Sequence, residues 1–143
     1  MSVPVNKRTE NKLQALADTL TMTAYTLQMC ENEKIFPKKS RWTLCNRIID
    51  ECYKAIVNIK VSNKYDMKDA EMAKKRIMLQ HTVLMDFEAL WALMTIAFET
   101  YSIPNDKKEI WSGLMLTAED KVKAWRNSDI RRFKEQFGKS YKE

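Results

Sequence analysis

Apolar residues recur along this chain at steps of three and four, the spacing of one face of a helix. The first series is Leu13, Leu16, Ala17, Leu20, Ala24 and Leu27, and it predicts a helix from about residue 9 to residue 33. Phe36–Pro37 breaks it, and Pro37 suits the first turn of a second helix, where its missing N–H costs nothing. The second series, Leu44, Cys45, Ile48, Ile49, Cys52, Ala55, Ile56 and Ile59, ends near Asn63. Asp66 is placed to cap a third helix, with Asp69 in its first turn. That helix runs to about Tyr101, because Pro104 cannot continue it. Asp106 and Glu109 resemble a capping box. They precede a fourth series of Ile110, Trp111, Leu114, Ala118, Val122 and Trp125. Ser128–Asp129 reads as one more cap, opening a short terminal helix with Ile130, Phe133 and Phe137.

Short connections between long helices make antiparallel neighbours. The expected fold is therefore all-α, an antiparallel up-down-up-down four-helix bundle with a short C-terminal helical tail. The expected divisions are a flexible tail at 1–8, the bundle at 9–127 and a basic segment at 128–143.

The third helix departs from this plan. Over 83–98 only Asp86, Glu88 and Thr95 are polar. Leu84, Trp91 and Phe98 form one stripe. Met85, Ala89, Ala92 and Ile96 form a second, and Val83, Leu90 and Ala97 lie on a third side. A bundle helix needs one apolar stripe of about 100°. A helix apolar nearly all round needs a second burial surface, so self-association through Met85, Ala89, Ala92 and Ile96 is expected. The competing reading is that Ile130, Phe133 and Phe137 of the tail cover the excess.

Composition narrows the alternatives. With 2 glycines and 3 prolines in 143 residues, there are too few turn residues for a sandwich, a barrel or a doubly wound sheet. At 45% hydrophobic and 31% charged, the chain can bury a core. No run of about 18 uncharged apolar residues occurs, so no membrane partner is expected. The first 16 residues lack the apolar core of a secretory signal. Cys30, Cys45 and Cys52 form no CxxC and are read as reduced, in a cytoplasmic protein.

Charge is unevenly placed. The net is +6, yet residues 34–64 hold eight basic side chains against two acidic, and residues 121–142 repeat that ratio. Residues 65–120 hold six basic against ten acidic. Two basic blocks around an acidic stretch point to a polyanion-binding face. The plain alternative is a solvated surface.

Catalytic and metal chemistry is not indicated. A dinuclear iron site in a bundle needs Glu-x-x-His pairs. The single histidine, His81, follows Met78 at that spacing and reads as a core-side residue. Cys45 and Cys52 share a helix face and read as small core hydrophobes. Gly113 and Gly138 alone cannot build a phosphate loop. The expectation is a protein without cofactor, metal or enzymatic activity.

The segment from Glu33 to Ile48 carries the strongest signal. Phe36 can plug the bundle end while Pro37 fixes the helix entry. Lys38, Lys39 and Arg41 then crowd the N-terminal turn of the second helix. Cations there oppose the helix dipole, so their presence argues for an anion at that end. Trp42 can stack on a base or cover the core. Arg41 falls on the core side of the wheel, at the bundle mouth. Arg47 and Lys54 point away, each with an acid four residues off, Glu51 and Asp50 respectively.

The pattern Phe36-Pro37-Lys38-x-x-Arg41-x-x-Leu44-x-x-Arg47-Ile48, with helices on both sides, resembles a bacterial and phage family of four-helix bundles. That family includes the proteins encoded in ribosomal-RNA intervening sequences and the accessory variability determinant of diversity-generating retroelements. The resemblance spans about residues 10–128. Tyr25-Thr26 to Arg47 and the closing Trp125-Arg126-Asn127-Ser128-Asp129 are more similar to the retroelement branch. It implies a homopentameric, barrel-like assembly with a positive surface. It also implies binding to a reverse transcriptase and to RNA or DNA during mutagenic copying, with Lys38, Arg41 and Arg47 as the carried-over basic positions. Residues 130–143 fall outside it. The full expected contact set adds Lys39 and the tail cations Arg131, Arg132 and Lys134. The alternative function is a structural or protein-interaction bundle with no nucleic-acid role. Nucleic-acid binding predicts that the two basic blocks converge on one surface.

Overall fold

The computed structural model describes residues 5–138 and Tyr141, with side chains from Asn11 onward. It is all-helical, with four long helices and no strand among the described residues: α1 (Val5–Glu31), α2 (Asn46–Ser62), α3 (Ala70–Thr100) and α4 (Asn105–Phe137). Each helix packs on its neighbours in the chain, and α4 closes the set by packing on α1. The main core joins Met22 and Met29 of α1, Ile48, Cys52 and Ile59 of α2, Phe87, Leu90 and Met94 of α3, and Trp111, Met115 and Trp125 of α4. By length and composition α3 could cross a membrane, yet its Val83, Phe87, Leu90, Met94 and Ala97 serve the bundle core.

Helix α1 buries a different face from the one its leucines mark. Leu13 and Leu20 are 58% and 47% exposed, whereas Thr19, Thr23 and Thr26 are buried beside Ala15, Met22 and Met29. The threonines can go inside because each hydroxyl donates to the carbonyl four residues back, at 2.7–2.8 Å. A buried hydroxyl satisfied in this way escapes most of its desolvation cost. Thr26 then offers an acceptor that the core requires: Trp111 Nε1 donates to its Oγ1 at 2.9 Å. The helix also starts earlier than its periodicity indicates, so 5–8 are helical and 1–4 lie outside the described residues.

Two caps move. Asp69, rather than Asp66, caps α3, accepting from the Glu71 N–H at 3.1 Å. Asp66 instead turns the α2–α3 connection, accepting from the Lys68 N–H at 2.8 Å. Helix α4 begins on Pro104 with no side-chain cap, which leaves Asp106 in the first turn.

The largest difference lies at Ser128–Asp129. No new helix starts there, and α4 runs unbroken to Phe137, where Gly138 at φ 68° ends it in the left-handed region. Asp129 is 1% exposed. It accepts from Arg76 Nε at 2.7 Å and Gln80 Nε2 at 2.6 Å, both from α3. Arg76 also donates to the Tyr65 carbonyl and lies 5.4 Å over the Trp125 ring. A cap-type residue is held mid-helix here because a buried guanidinium needs its charge. The expected separate segment 128–143 is thus part of the bundle as far as Phe137. Phe133 seals a second apolar cluster with Met67, Ala73 and Ile77, against which Ile130, Phe137 and Tyr141 pack. Lys139, Ser140, Lys142 and Glu143 lie outside the described residues.

Candidate nucleic-acid interface

The junction between α1 and α2 is built by its two apolar residues. The Asn32 carbonyl accepts from the Ile35 and Phe36 N–H groups, both at 2.9 Å, which turns the chain inward. Phe36, 2% exposed, then meets the Tyr101 and Trp111 rings edge-on at 5.4 and 6.3 Å. Aromatic edges on faces at these distances add to the burial itself. Phe36 is the bundle plug its position indicates, and it locates the basic residues that follow.

Past Pro37 the backbone forms a π turn, Arg41–Cys45, in which the Asn46 N–H reaches back to the Arg41 carbonyl. This wider turn rotates everything before it by one residue relative to α2. In a regular helix Arg41 would sit on the same face as buried Leu44, Cys45 and Ile48. In the structure Ser40 takes that inward position, 1% exposed, with its hydroxyl donating to the Pro37 carbonyl at 2.7 Å. Arg41 is exposed, a correction to its expected core-side placement. Burying a bonded serine costs far less than burying an unpaired guanidinium.

The same rotation sends Trp42 outward. It is 79% exposed and covers no core. Around it Lys38, Lys39, Arg41 and Arg47 are all exposed. Lys38 lies 3.6 Å from Glu33, a solvated pair of little strength. Lys39, Arg41 and Arg47 have no ion-pair partner among the described residues. The pairing expected between Arg47 and Glu51 does not form, because Glu51 holds Lys54 at 3.3 Å instead of Asp50 doing so. Three unpaired cations around an exposed indole are the materials of phosphate contact and base stacking.

A groove of about 630 Å³ connects this corner to α3, lined by Trp42, Arg47, Asp50, Lys54, Ala89 and Ala92 among others. It joins two sets of residues that the sequence marks separately. Of the expected interface stripe, Met85 is 47% and Ile96 51% exposed, Ala92 is exposed and Ala89 half-buried. The terminal aromatic residues do not cover them, since Phe133 packs on Met67, Ala73 and Ile77.

The second basic block is elsewhere. Arg131 and Lys134 are exposed, while Arg132 lies 3.5 Å from buried Asp129. They share their end of the bundle with Met67, Ala73 and Arg76, whereas the junction shares its end with Tyr101 and Trp111. Along α4, Trp111 and Arg131 are separated by about 30 Å. Within one chain the junction cations therefore do not converge with these tail cations, although Lys60 and Lys64 of the first block lie at the tail end of α2.

Burial changes the titration of a few groups. Asp86 accepts from Asn58 Nδ2 at 2.9 Å. Burial raises its pKa, and Glu51 adds to the rise while the Asn58 bond opposes it. Burial also pushes the Cys52 thiol up to about 11. The three cysteines are free, with Cys45 and Cys52 in the core. Among the described residues no group of three or more His, Cys, Asp or Glu side chains is arranged to hold a metal ion. Comparison with family models, curated proteins and solved structures finds no match to this chain.

Proposed function

We propose that this chain is a non-enzymatic, self-associating helical bundle that binds nucleic acid and serves a reverse transcriptase of a diversity-generating retroelement as its accessory, in the cytoplasm. In this reading the four helices run alternately up and down, with short connections at both ends. The observation that carries it is Trp42, 79% exposed among three cations without ion-pair partners. A bundle with nothing to bind has no reason to hold an indole in water beside Lys39, Arg41 and Arg47. The resemblance in the 36–48 segment supplies the retroelement context, and the exposed α3 stripe supplies the surface for self-association.

Fluorescence anisotropy with a labelled single-stranded RNA tests the reading. Changing Lys39, Arg41 and Arg47 together to Ala should lower the salt slope by about 2, at roughly 0.7 per lost phosphate contact. Trp42→Ala should weaken binding by about 1–3 kcal/mol if one base stacks on it. Wild-type affinity and slope in both variants would leave the alternative, a protein-interaction bundle, which the uncovered Met85–Ile96 stripe favours. Co-purification with a retroelement reverse transcriptase tests the partner.

A further inference from the structure

The outer side of α3 carries a pattern that its own bundle does not use. Lys75, Thr82, Ala89 and Ile96 recur at seven-residue steps, and Met78, Met85, Ala92 and Glu99 do so three positions on. The combined spacing alternates three and four, which is the a and d seam of a coiled coil. Met78, Met85 and Ile96 are 45%, 47% and 51% exposed, and Lys75, Ala92 and Glu99 are exposed too. A helix serving one core needs a single stripe, and α3 already supplies that stripe with Val83, Phe87, Leu90, Met94 and Ala97.

We propose that this seam pairs with the same seam of a second copy of the chain, antiparallel, about a two-fold axis beside Phe87. The proposal rests on the self-association reading above and adds its register and symmetry. In an isologous contact, residue i meets j while j meets i. Here Lys75 meets Glu99 of the second copy, Met78 meets Ile96, Thr82 meets Ala92, and Met85 meets Ala89.

Charge fixes the direction. The seam is neutral except at its two ends, where Lys75 and Glu99 have no ion-pair partner among the described residues. Antiparallel pairing joins them twice, whereas parallel pairing sets lysine on lysine and glutamate on glutamate. Size fixes the register. Ala89 and Ala92 line the α3 side of the groove of about 630 Å³ whose other side holds Trp42 and Arg47; Met85 of the second copy packs on the two alanines, and Met78 covers Ile96. From Lys75 to Glu99 the seam is about 36 Å long. The pairing builds assemblies with an even number of subunits. The fivefold ring implied by the resemblance has no such axis and needs a different contact.

Two measurements on the full chain test this. Light scattering on a dilution series should show Lys75→Glu and Glu99→Lys each raising the dissociation constant about tenfold, with helicity unchanged. The double variant, which exchanges the two charges, should restore association. Under mild oxidation, Met85→Cys mixed with Ala89→Cys should form a crosslinked dimer that Met85→Cys alone does not form. A wild-type chain that stays monomeric overturns both the seam and the self-association reading. An assembly insensitive to the charge changes, or not restored by the double variant, overturns the seam alone. A crosslink in Met85→Cys by itself, or a five-subunit mass, does the same.

Discussion

Asp129→Ala is the substitution that separates a helix cap from a buried ion pair. If Asp129 were a surface cap, alanine would cost about 1 kcal/mol. In the structure its side chain is 2% exposed and that of Arg76 is 11% exposed, with Nε and Oδ2 2.7 Å apart. Removing the carboxylate leaves a buried guanidinium without its counter-charge and takes an acceptor from Gln80. Breaking such a pair costs about 3–5 kcal/mol, and the melting temperature of a chain this size should fall by roughly 10–20 °C. The loss should spread to the α2–α3 connection, because Arg76 also donates to the Tyr65 carbonyl and Ser62 Oγ donates to the Arg76 carbonyl. Replacing both partners by apolar residues, Arg76→Met with Asp129→Leu, should recover most of the stability, since the isolated charge is then gone. Urea and thermal unfolding followed by circular dichroism measure both effects. A loss below about 1.5 kcal/mol for Asp129→Ala would place the residue among ordinary caps, and the reading of a buried charge network would be refuted.

Thr26→Val should cost about 1–2 kcal/mol, since Trp111 Nε1 would be buried without an acceptor, whereas Thr26→Ser should retain most of the stability. The same unfolding assay reads both. Asp86 predicts a pH dependence with a definite sign. Burial raises its folded-state pKa, so the native state favours the protonated form. That stability contribution is full below the ordinary carboxylate range and is lost as pH rises through the raised value. Asp86→Asn removes this decline, so its melting temperature should gain on the wild type from about pH 3 to pH 7. Parallel profiles for the two proteins would refute it.

The legible parts of the fold are those where pattern and burial coincide. The α2 series Leu44, Ile48, Cys52, Ala55 and Ile59 is in the core, as its spacing requires. The plug at Phe36 and the uncovered stripe Met85–Ile96 also follow from sequence. Three features were not legible: two rest on polar partners that only the fold brings together, and one on a local change of helix phase. The α1 threonines look like a surface face until their back-bonded hydroxyls and Trp111 are seen together. Asp129 looks like a cap because nothing local announces Arg76, 53 positions earlier. Arg41 looks core-facing because the wheel assumes 3.6 residues per turn, and one π turn shifts the phase. Of the expected contact set, Lys38, Lys39, Arg41 and Arg47 are exposed on either side of Trp42 in the chain, and Arg132 is tied to Asp129.

The separation of the junction cations from the tail cations bears on how a bundle of this shape can hold an extended polyanion. Within one chain, Trp42 with Arg41 and Arg47 lies at the junction end, while Arg131 and Lys134 lie about 30 Å away. An antiparallel α3 pair reverses one copy against the other. Lys75 is near the start of α3 and Glu99 near its finish, so their contact sets the junction end of each copy beside the Arg131–Lys134 end of its neighbour. The convergence that the charge distribution calls for would then arise between copies rather than within one. Both ends of the pair would carry one block of each kind, related by the two-fold axis. A strand crossing the pair would meet cations at either end, and avidity would amplify contacts that are individually modest. The two proposals are therefore linked. Lys75→Glu touches neither Trp42 nor its cations, yet by separating the copies it should weaken RNA binding, whereas a copy that binds fully alone would carry its whole site at the junction.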